Sequence, residues 1–309
     1  MKKSIAKRTS KLKNFLRDGI WELELEELSK ARARFIKYMK VLIITIKTFS
    51  AEKIGFQAVA LSFFSTMSVI PFIAIVFAVT GGLGLADKLE NFLYGYFYNS
   101  QQTLDFIVGA ADNIINTSLG GGMGLVSGLL FVWIVIWMML SVERVFNNVW
   151  RVRKSRNIFK RISYIIAMLI IAPFVMLVFF SGNILYSHLL ESIGLDPETF
   201  GIVKTLLSWT LFAVIVTFTF SAMYKFVPNA DVKYGNALRA AIPAAIAFTV
   251  VNYVYLETQV FVTRLNAIYG VFAAVPLFMV WINVGWYLIL IGSELSYAFQ
   301  HVDNYNIDD

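Results

Sequence analysis

A run of 24 residues without one charge, from Gly270 to Ser293, restricts the fold of this chain more than any other feature. At about 1.5 Å per residue, such a helix is long enough to cross a hydrocarbon core about 30 Å thick. The run contains Asn283 and is followed by Glu294, eleven residues or about three turns later, so the two share a helix face. Polar groups at such depth normally face protein or a wet cavity. The run therefore predicts a transmembrane helix with a polar inner face.

The composition extends this prediction to the whole chain. Of the 309 residues, 58% are hydrophobic and 15% charged, whereas soluble domains carry about a quarter charged residues. The chain has no cysteine, which excludes disulfides and thiolate metal sites. It has only two histidines, His188 and His301, and no nucleophile with a base or paired carboxylates. We therefore expect an integral membrane protein that is not an enzyme and has no metal site and no cofactor.

The apolar blocks predict an all-α polytopic fold with six transmembrane helices. A basic N-terminal segment with an interfacial helix (1–53) precedes the transmembrane domain (54–300), and a short tail (301–309) follows it. The six predicted spans are 56–80, 123–142, 162–182, 205–224, 237–256 and 270–293.

The basic residues predict the orientation. With six spans, 24 of the 27 Lys and Arg residues fall on one side of the membrane, and positive residues stay cytoplasmic. Both termini are therefore predicted to be cytoplasmic. The basic charge then requires no nucleic acid, and the expected partners are anionic membrane lipids. The predicted headgroup contacts are Arg144, Arg151, Arg153, Lys154 and Arg156. For Arg144, an ordinary interfacial ion pair with Glu143 is the alternative.

Amphipathic stretches flank the first span. An apolar stripe includes Phe35, Leu42 and Ile46, with lysines on the opposite face. It predicts a helix that either lies on an anionic membrane surface or packs on the protein's own cytoplasmic side. The long connection 81–122 predicts two short helices on the outer surface, which either cap a cavity or rest on the bundle.

Polar residues recur at helical spacing in three of the predicted spans. Because aligned residues share a face, helices 1, 5 and 6 could present polar lines to a common interior. A transport path is one interpretation, and hydrogen bonds between helices are the other. Prolines in the same helices predict breaks where backbone groups could face a ligand. The predicted path residues are Gln57, Ser68, Asn252, Asn283 and Glu294, and the predicted breaks are Pro71, Pro243 and Pro276.

Three segments resemble the YihY/BrkB family of bacterial inner-membrane proteins: ALSFFSTMSVIPFIAIVFA, YKFVPNADV and YGVFAAVPLFMVWINVGWYLILIGSELSYA. The resemblance covers roughly residues 40–300. It implies six membrane helices, a bacterial cytoplasmic membrane and no settled molecular activity. An older label, ribonuclease BN, finds no support in this sequence. The family-like positions are Pro71, Tyr224, Pro228, Asn229, Tyr269, Gly270, Pro276, Trp281, Gly292 and Glu294.

Two functions remain open at this point. The first is a transporter- or flippase-like protein whose helices 1, 5 and 6 line a path. The second is a non-transporting scaffold that binds anionic lipids or protein partners through its basic cytoplasmic face.

Overall fold

The computed structural model describes residues 19–21, 29–82, 84, 86–96, 101–119, 122–152, 156–157, 159–164, 166–167, 201–269, 271–303 and 305. Within these ranges the regular structure is helical, with no strand. The predicted all-α class is confirmed. The principal helices are α1 Lys30–Ala51, α2 Ile54–Gly82, α3 Ala86–Tyr96, α4 Gln101–Leu119, α5 Gly122–Val149, α6 Gly201–Phe226, α7 Tyr234–Tyr269 and α8 Val271–His301.

Five helices of the described part are long and apolar enough to cross a membrane. They are α2, α5, α6, α7 and α8, and each coincides with one of the predicted spans. Most of the remaining predicted span, 162–182, lies outside the described residues, as do Arg153 and Lys154.

The candidate span within α7 runs from Tyr234 to Thr258 and agrees with the predicted fifth span, 237–256. The helix itself continues beyond that span to Tyr269, so the connection 257–269 is helical. Helices α2, α7 and α8 also continue through Pro71, Pro243 and Pro276. The prolines are therefore not gaps in helical structure, because the loss of one backbone donor does not end a helix that its neighbours hold in place.

One end of the bundle, which we call the basic end, gathers the start of α2, the ends of α5, α6 and α8, and the start of α7. Asn147 near the end of α5 contacts Asn229 after α6, and Gln300 near the end of α8 contacts Lys233 before α7. Tyr287 of α8 packs against Gly55 at the start of α2. The principal core of the bundle extends from this end.

The outward faces of the spans are strongly apolar. Leu129 of α5 is 70% exposed and Phe56 of α2 is 77% exposed. Similar side chains line α7, where Ile246, Val250 and Val254 are exposed. A helix that is apolar on its exposed side and on its packed side is typical of a membrane span.

The first helix, α1, packs on α8 through a different face from the predicted stripe. Val41 and Ile44 are fully buried against Ala298 and Val302 of the α8 end. Phe35 and Ile46, in contrast, are about two-thirds exposed, at 66% and 69%. The predicted stripe is exposed, as expected for the alternative in which it faces a membrane surface, and the buried face consists of other residues. This face is shared by small and β-branched residues and by Lys40, whose alkyl chain is buried while its ammonium lies 5.5 Å from the Trp21 ring.

The connection after α2 contains two helices, α3 and α4. Their apolar faces form a second core with the last turns of α2, in which Val76, Leu89, Val108 and Ala111 are buried. Because α2 starts at the basic end, this second core lies at the opposite end. The predicted position of α3 and α4 on the outer membrane surface stays a prediction.

Candidate functional site

The middle of the bundle holds two polar contacts between α8 and α2. The Asn283 side-chain amide donates to the Ser62 hydroxyl at 3.3 Å, and the Trp286 indole N–H donates to the Ser65 hydroxyl at 2.9 Å. Asn283 was predicted either to line a path or to form a hydrogen bond between helices, and in the structure it bonds to Ser62 of α2. Such hydrogen bonds between helices are worth about 0.6–2 kcal/mol each.

The other mid-bundle candidates do not meet at one point. The Ser68 hydroxyl lies 3.0 Å from the Met138 sulfur of α5 and also reaches the Ser65 carbonyl. The Gln57 amide donates to the Glu52 carbonyl at 3.3 Å, close to the start of its own helix. Asn252 is buried within α7. The five predicted path residues therefore do not form one continuous polar line in the described part of the chain.

A groove between α2, α7 and α8 lies beside these contacts. It has a volume of about 200 Å³ and is lined mainly by Phe248, Trp281, Gly285 and Trp286, with Ser65 at its edge. Its lining is apolar, so it suits an acyl chain or a packed side chain better than a charged group.

The basic end contains a more extensive polar network around the turn 227–233. The Asn229 N–H donates to the Asn147 side-chain oxygen at 2.7 Å. The Gln300 amide bridges the turn by donating to the Asp231 carbonyl at 2.9 Å and accepting from the Lys233 N–H at 2.8 Å. Two helices, α5 and α8, are tied to one turn in this way, because backbone groups without a helical partner must bond elsewhere.

Arg156 adds two further bonds to that turn. Its guanidinium donates to the carbonyls of Phe226 at 2.7 Å and Pro228 at 3.1 Å, and it stacks over the Tyr164 ring. Sequence reasoning assigned Arg156 to lipid headgroups, but in the structure it ties the chain after α5 to the chain after α6. Of the other predicted headgroup residues, Arg144 and Arg151 are exposed.

Two carboxylates are buried near the basic end, and the first is paired. Glu143 of α5 is 1% exposed, and one of its oxygens accepts from Arg161 Nε at 2.8 Å. The alternative of an ion pair between Glu143 and its neighbour Arg144 is wrong, because consecutive residues of a helix point in different directions.

The second carboxylate, Glu294 of α8, is fully buried, and neither oxygen has a hydrogen-bond partner among the described residues. Its charged neighbours are Arg151, which would attract a negative charge, and Glu52, which would repel it. The Arg151 guanidinium lies over the ring of Tyr297, 5.1 Å from its centre. Glu294 was predicted as an interior polar residue. Its lack of a hydrogen-bond partner could not be predicted from the sequence, because it depends on how residues from three separate segments pack around the carboxyl group.

Several buried hydroxyl groups of α6 and α8 also lack a hydrogen-bond partner among the described residues. Tyr224, Ser221, Ser293 and Ser296 are fully buried, and their hydroxyls have no partner within the described ranges. The Tyr224 hydroxyl is directly against Gly292, where a side chain would occupy the same space. No sequence pattern singles out the three serines, because small residues at helix contacts usually serve close packing.

These groups limit the chemistry of the basic end. A buried carboxyl and free hydroxyls can bind a proton or polar ligand groups. In the described part of the chain, no three His, Cys, Asp or Glu residues are grouped to hold a metal ion.

Comparison with known proteins identifies relatives of the chain. Residues 45–309 match the model of a family described as "Virulence factor BrkB". A "UPF0761 membrane protein" of Legionella pneumophila (strain Corby) is 27% identical over 284 residues, which cover 88% of this chain and 64% of that protein. A protein of the same name from Chromohalobacter salexigens is 28% identical, with 81% and 61% covered. The chain thus spans about three-fifths of the length of these curated relatives. No solved structure matches it.

Proposed function

The chain belongs to the BrkB virulence-factor family of bacterial membrane proteins, and we propose that it is transporter- or flippase-like. The membership confirms the resemblance noted from the sequence. The chain is accordingly a multi-pass protein of the bacterial inner membrane. Its relatives are named as membrane proteins and not as enzymes, which agrees with the expectation of a non-enzymatic role.

The positions of the helix ends support six spans. Helix α5 ends at the basic end, and α6 also ends there, so α6 starts at the opposite end. The predicted span 162–182, most of which lies outside the described residues, is apolar and long enough to be the crossing between them. This arrangement favours six spans with both termini cytoplasmic, and the basic end is then the cytoplasmic end.

The observation that carries the proposal is the isolation of Glu294. An ionisable group in a membrane span is costly, so it faces the bundle interior and marks a pathway for ions or substrates by default. Glu294 faces the interior, and its oxygens have no hydrogen-bond partner in the described residues. A residue kept only for packing would be replaced by an apolar one at no loss of stability.

The substrate class is proposed from the surroundings of this residue. Arg151 is close enough to Glu294 for its positive charge to act on the carboxyl group, and the groove near Ser65 is apolar. An anionic lipid-like molecule would place its headgroup near the arginine and its chains toward the groove. The proposed path is therefore lined by α2, α7 and α8, which correspond to helices 1, 5 and 6 of the sequence prediction.

The test is labelling of single cysteines in this cysteine-free chain with a membrane-impermeant thiol reagent. Cysteines replace Gln57, Ser68, Asn252, Asn283 and Glu294 one at a time in the full chain in membrane vesicles. We expect labelling at 294 and 57, nearest the basic end, and less at 68 and 283, where helices bond to each other. Val250→Cys on the outward face of α7 is the protected control and Asn229→Cys in the exposed turn is the labelled control.

Vesicles of both orientations make the test decisive. Labelling of residue 229 from the cytoplasmic side alone would support the proposed orientation. Protection of all five interior positions, with residue 229 labelled, would refute a wet interior and thereby the transport proposal.

The scaffold alternative is favoured by one specific observation. Helix α1 exposes Phe35, Leu42 and Ile46 beside basic residues, as in a helix that lies on an anionic membrane. Replacing these three residues by serine would then abolish binding to anionic vesicles or the cellular phenotype. Substitution of Asn283 and Glu294 by apolar residues would have no effect under this alternative.

A further inference from the structure

The two buried carboxylates of the basic end have opposite surroundings. Glu143 has Arg161 at 2.8 Å, whereas Glu294 has no hydrogen-bond partner for either oxygen among the described residues. A buried carboxylate with no compensating partner loses its hydration without replacement, and in practice such a group takes up a proton instead. A buried carboxylate paired with an arginine, in contrast, keeps a compensating partner for its charge.

We propose that Glu294 is a proton-binding site, occupied in the conformation described here, and that the proton is the coupling ion of the transport cycle. The second half of this inference rests on the proposed function. The first half concerns only the state of the carboxyl group and can be tested without a substrate.

The groups that face Glu294 provide a route for releasing the proton. Arg151, which follows α5, lies over the Tyr297 ring and is exposed. Glu52, which precedes α2, is partly buried and adds a repelling charge. Tyr297, three residues further along α8, is the other titratable group that interacts with Glu294. Arg151 is thus the one described cation positioned to replace the proton, by moving from Tyr297 to the carboxylate as the basic end opens.

The conformation of Arg151 is consistent with such a movement. It has a φ of +52°, in the left-handed region that a residue other than glycine rarely adopts. Its backbone N–H bonds to the Asn148 carbonyl. Helix α5 has therefore ended here, and the side chain of Arg151 is carried by a turn and not by a rigid helix.

A membrane-soluble carbodiimide tests the protonation directly. Dicyclohexylcarbodiimide reacts with a protonated carboxyl group: the acid proton goes to a carbodiimide nitrogen and the carboxyl oxygen bonds to the central carbon. The adduct then rearranges to a stable N-acylurea that retains every atom of both reactants. Labelling of the full chain in membranes at neutral pH, followed by peptide mass spectrometry, identifies the residue.

We expect the peptide with Glu294 to carry the label and the peptide with Glu143 to be unlabelled. Glu294→Gln should lose the label, while Glu143→Gln should leave it unchanged. Arg151→Gln should preserve labelling of Glu294 to more alkaline pH than in the wild type, because the attracting charge is gone. Arg161→Met should create labelling at Glu143, which shows that the reagent reaches carboxyls at this end of the bundle.

The proposal is overturned if Glu294 stays unlabelled at neutral and acidic pH in a preparation where the Arg161→Met variant labels Glu143. Labelling of Glu294 combined with protection of all the interior cysteines would retain the proton site and refute the transport function. The two failures are therefore distinguishable. An infrared band of a protonated carboxyl that is absent from Glu294→Gln gives an independent readout in variants that label poorly.

Discussion

The contact between Gly292 and Tyr224 predicts that even one added methyl group at position 292 destabilises the bundle. A Cβ atom there would overlap the Tyr224 hydroxyl and lie 2.8 Å from both the Tyr224 ring and the Ala244 Cβ atom. Carbon atoms pack best at about 3.5–4.0 Å, so each of these carbon contacts is about 0.7 Å or more too short. Tyr224 cannot move aside freely, because it is fully buried between the rings of Phe146 and Phe220.

The expected magnitude for Gly292→Ala is the difference of two opposing effects. Overpacking of a close-packed core costs about 1–3 kcal/mol, and several short contacts at once correspond to the upper part of that range. The replacement of a helical glycine by alanine returns up to about 1 kcal/mol. We therefore expect a net loss of about 1–2 kcal/mol in the free energy of unfolding.

A double-mutant cycle measures this clash in purified protein, by detergent-induced or thermal unfolding followed through tryptophan fluorescence. Tyr224→Phe removes a buried hydroxyl that has no described partner, so it should stabilise by about 1 kcal/mol. Combined with Gly292→Ala, it should recover part of the loss, since the hydroxyl is the nearest of the obstacles. The control is Gly109→Ala in α4, where a Cβ atom meets nothing within 4 Å, and a gain of about 0.5–1 kcal/mol is expected. If Gly292→Ala is as stable as the wild type while Gly109→Ala shows its gain, the packing argument is wrong.

Two other predictions concern charged groups. Arg161→Met should lower the free energy of unfolding by about 2–4 kcal/mol, because it leaves Glu143 buried and unpaired. Adding Glu143→Gln to this variant should recover most of the loss in the same unfolding assay. If the single and the double variant are equally stable, the role of the ion pair is contradicted. Burial lowers the pKa of Lys40 from its ordinary 10.5, with Asp303 opposing the shift. Between the two pKa values the unfolded chain binds more protons, so stability should rise with pH up to about 10.5. In the Lys40→Met variant the melting temperature should rise less steeply with pH, and a rise as steep as in the wild type would refute the prediction.

The spans could be predicted from the sequence because length and apolar content are local properties. Helix α8 is the clearest case, since a charge-free run of this length rarely forms anything other than a transmembrane helix. The helical phase was also predictable: Asn283 meets α2 through Ser62, and Glu294 lies near Glu52, just before the same helix. Their common face follows from eleven residues being about three turns.

The partners of the polar residues could not be predicted from spacing. Arg161 reaches Glu143 from beyond the end of α5, and Arg156 binds carbonyls that are 70 and 72 residues away in the chain. The buried face of α1 could not be predicted for a related reason. Its exposed stripe is more apolar than its packed face, which is normal for a helix that contacts protein on one side and lipid on the other.

The comparison of the two carboxylates also bears on the choice between transporter and scaffold. In a scaffold, both residues would be selected only for the stability of the bundle, and Glu143 satisfies that requirement through Arg161. Glu294 does not, since no hydrogen bond among the described residues offsets its burial, and an apolar residue at that position would be at least as stable. A buried acid that weakens its own helix contact, next to a cation carried by a turn such as Arg151, is what a site needs if it must exist in two charge states. Glu294, the buried acid that packing explains least, is therefore the best argument that a proton or a ligand is bound and released at the basic end.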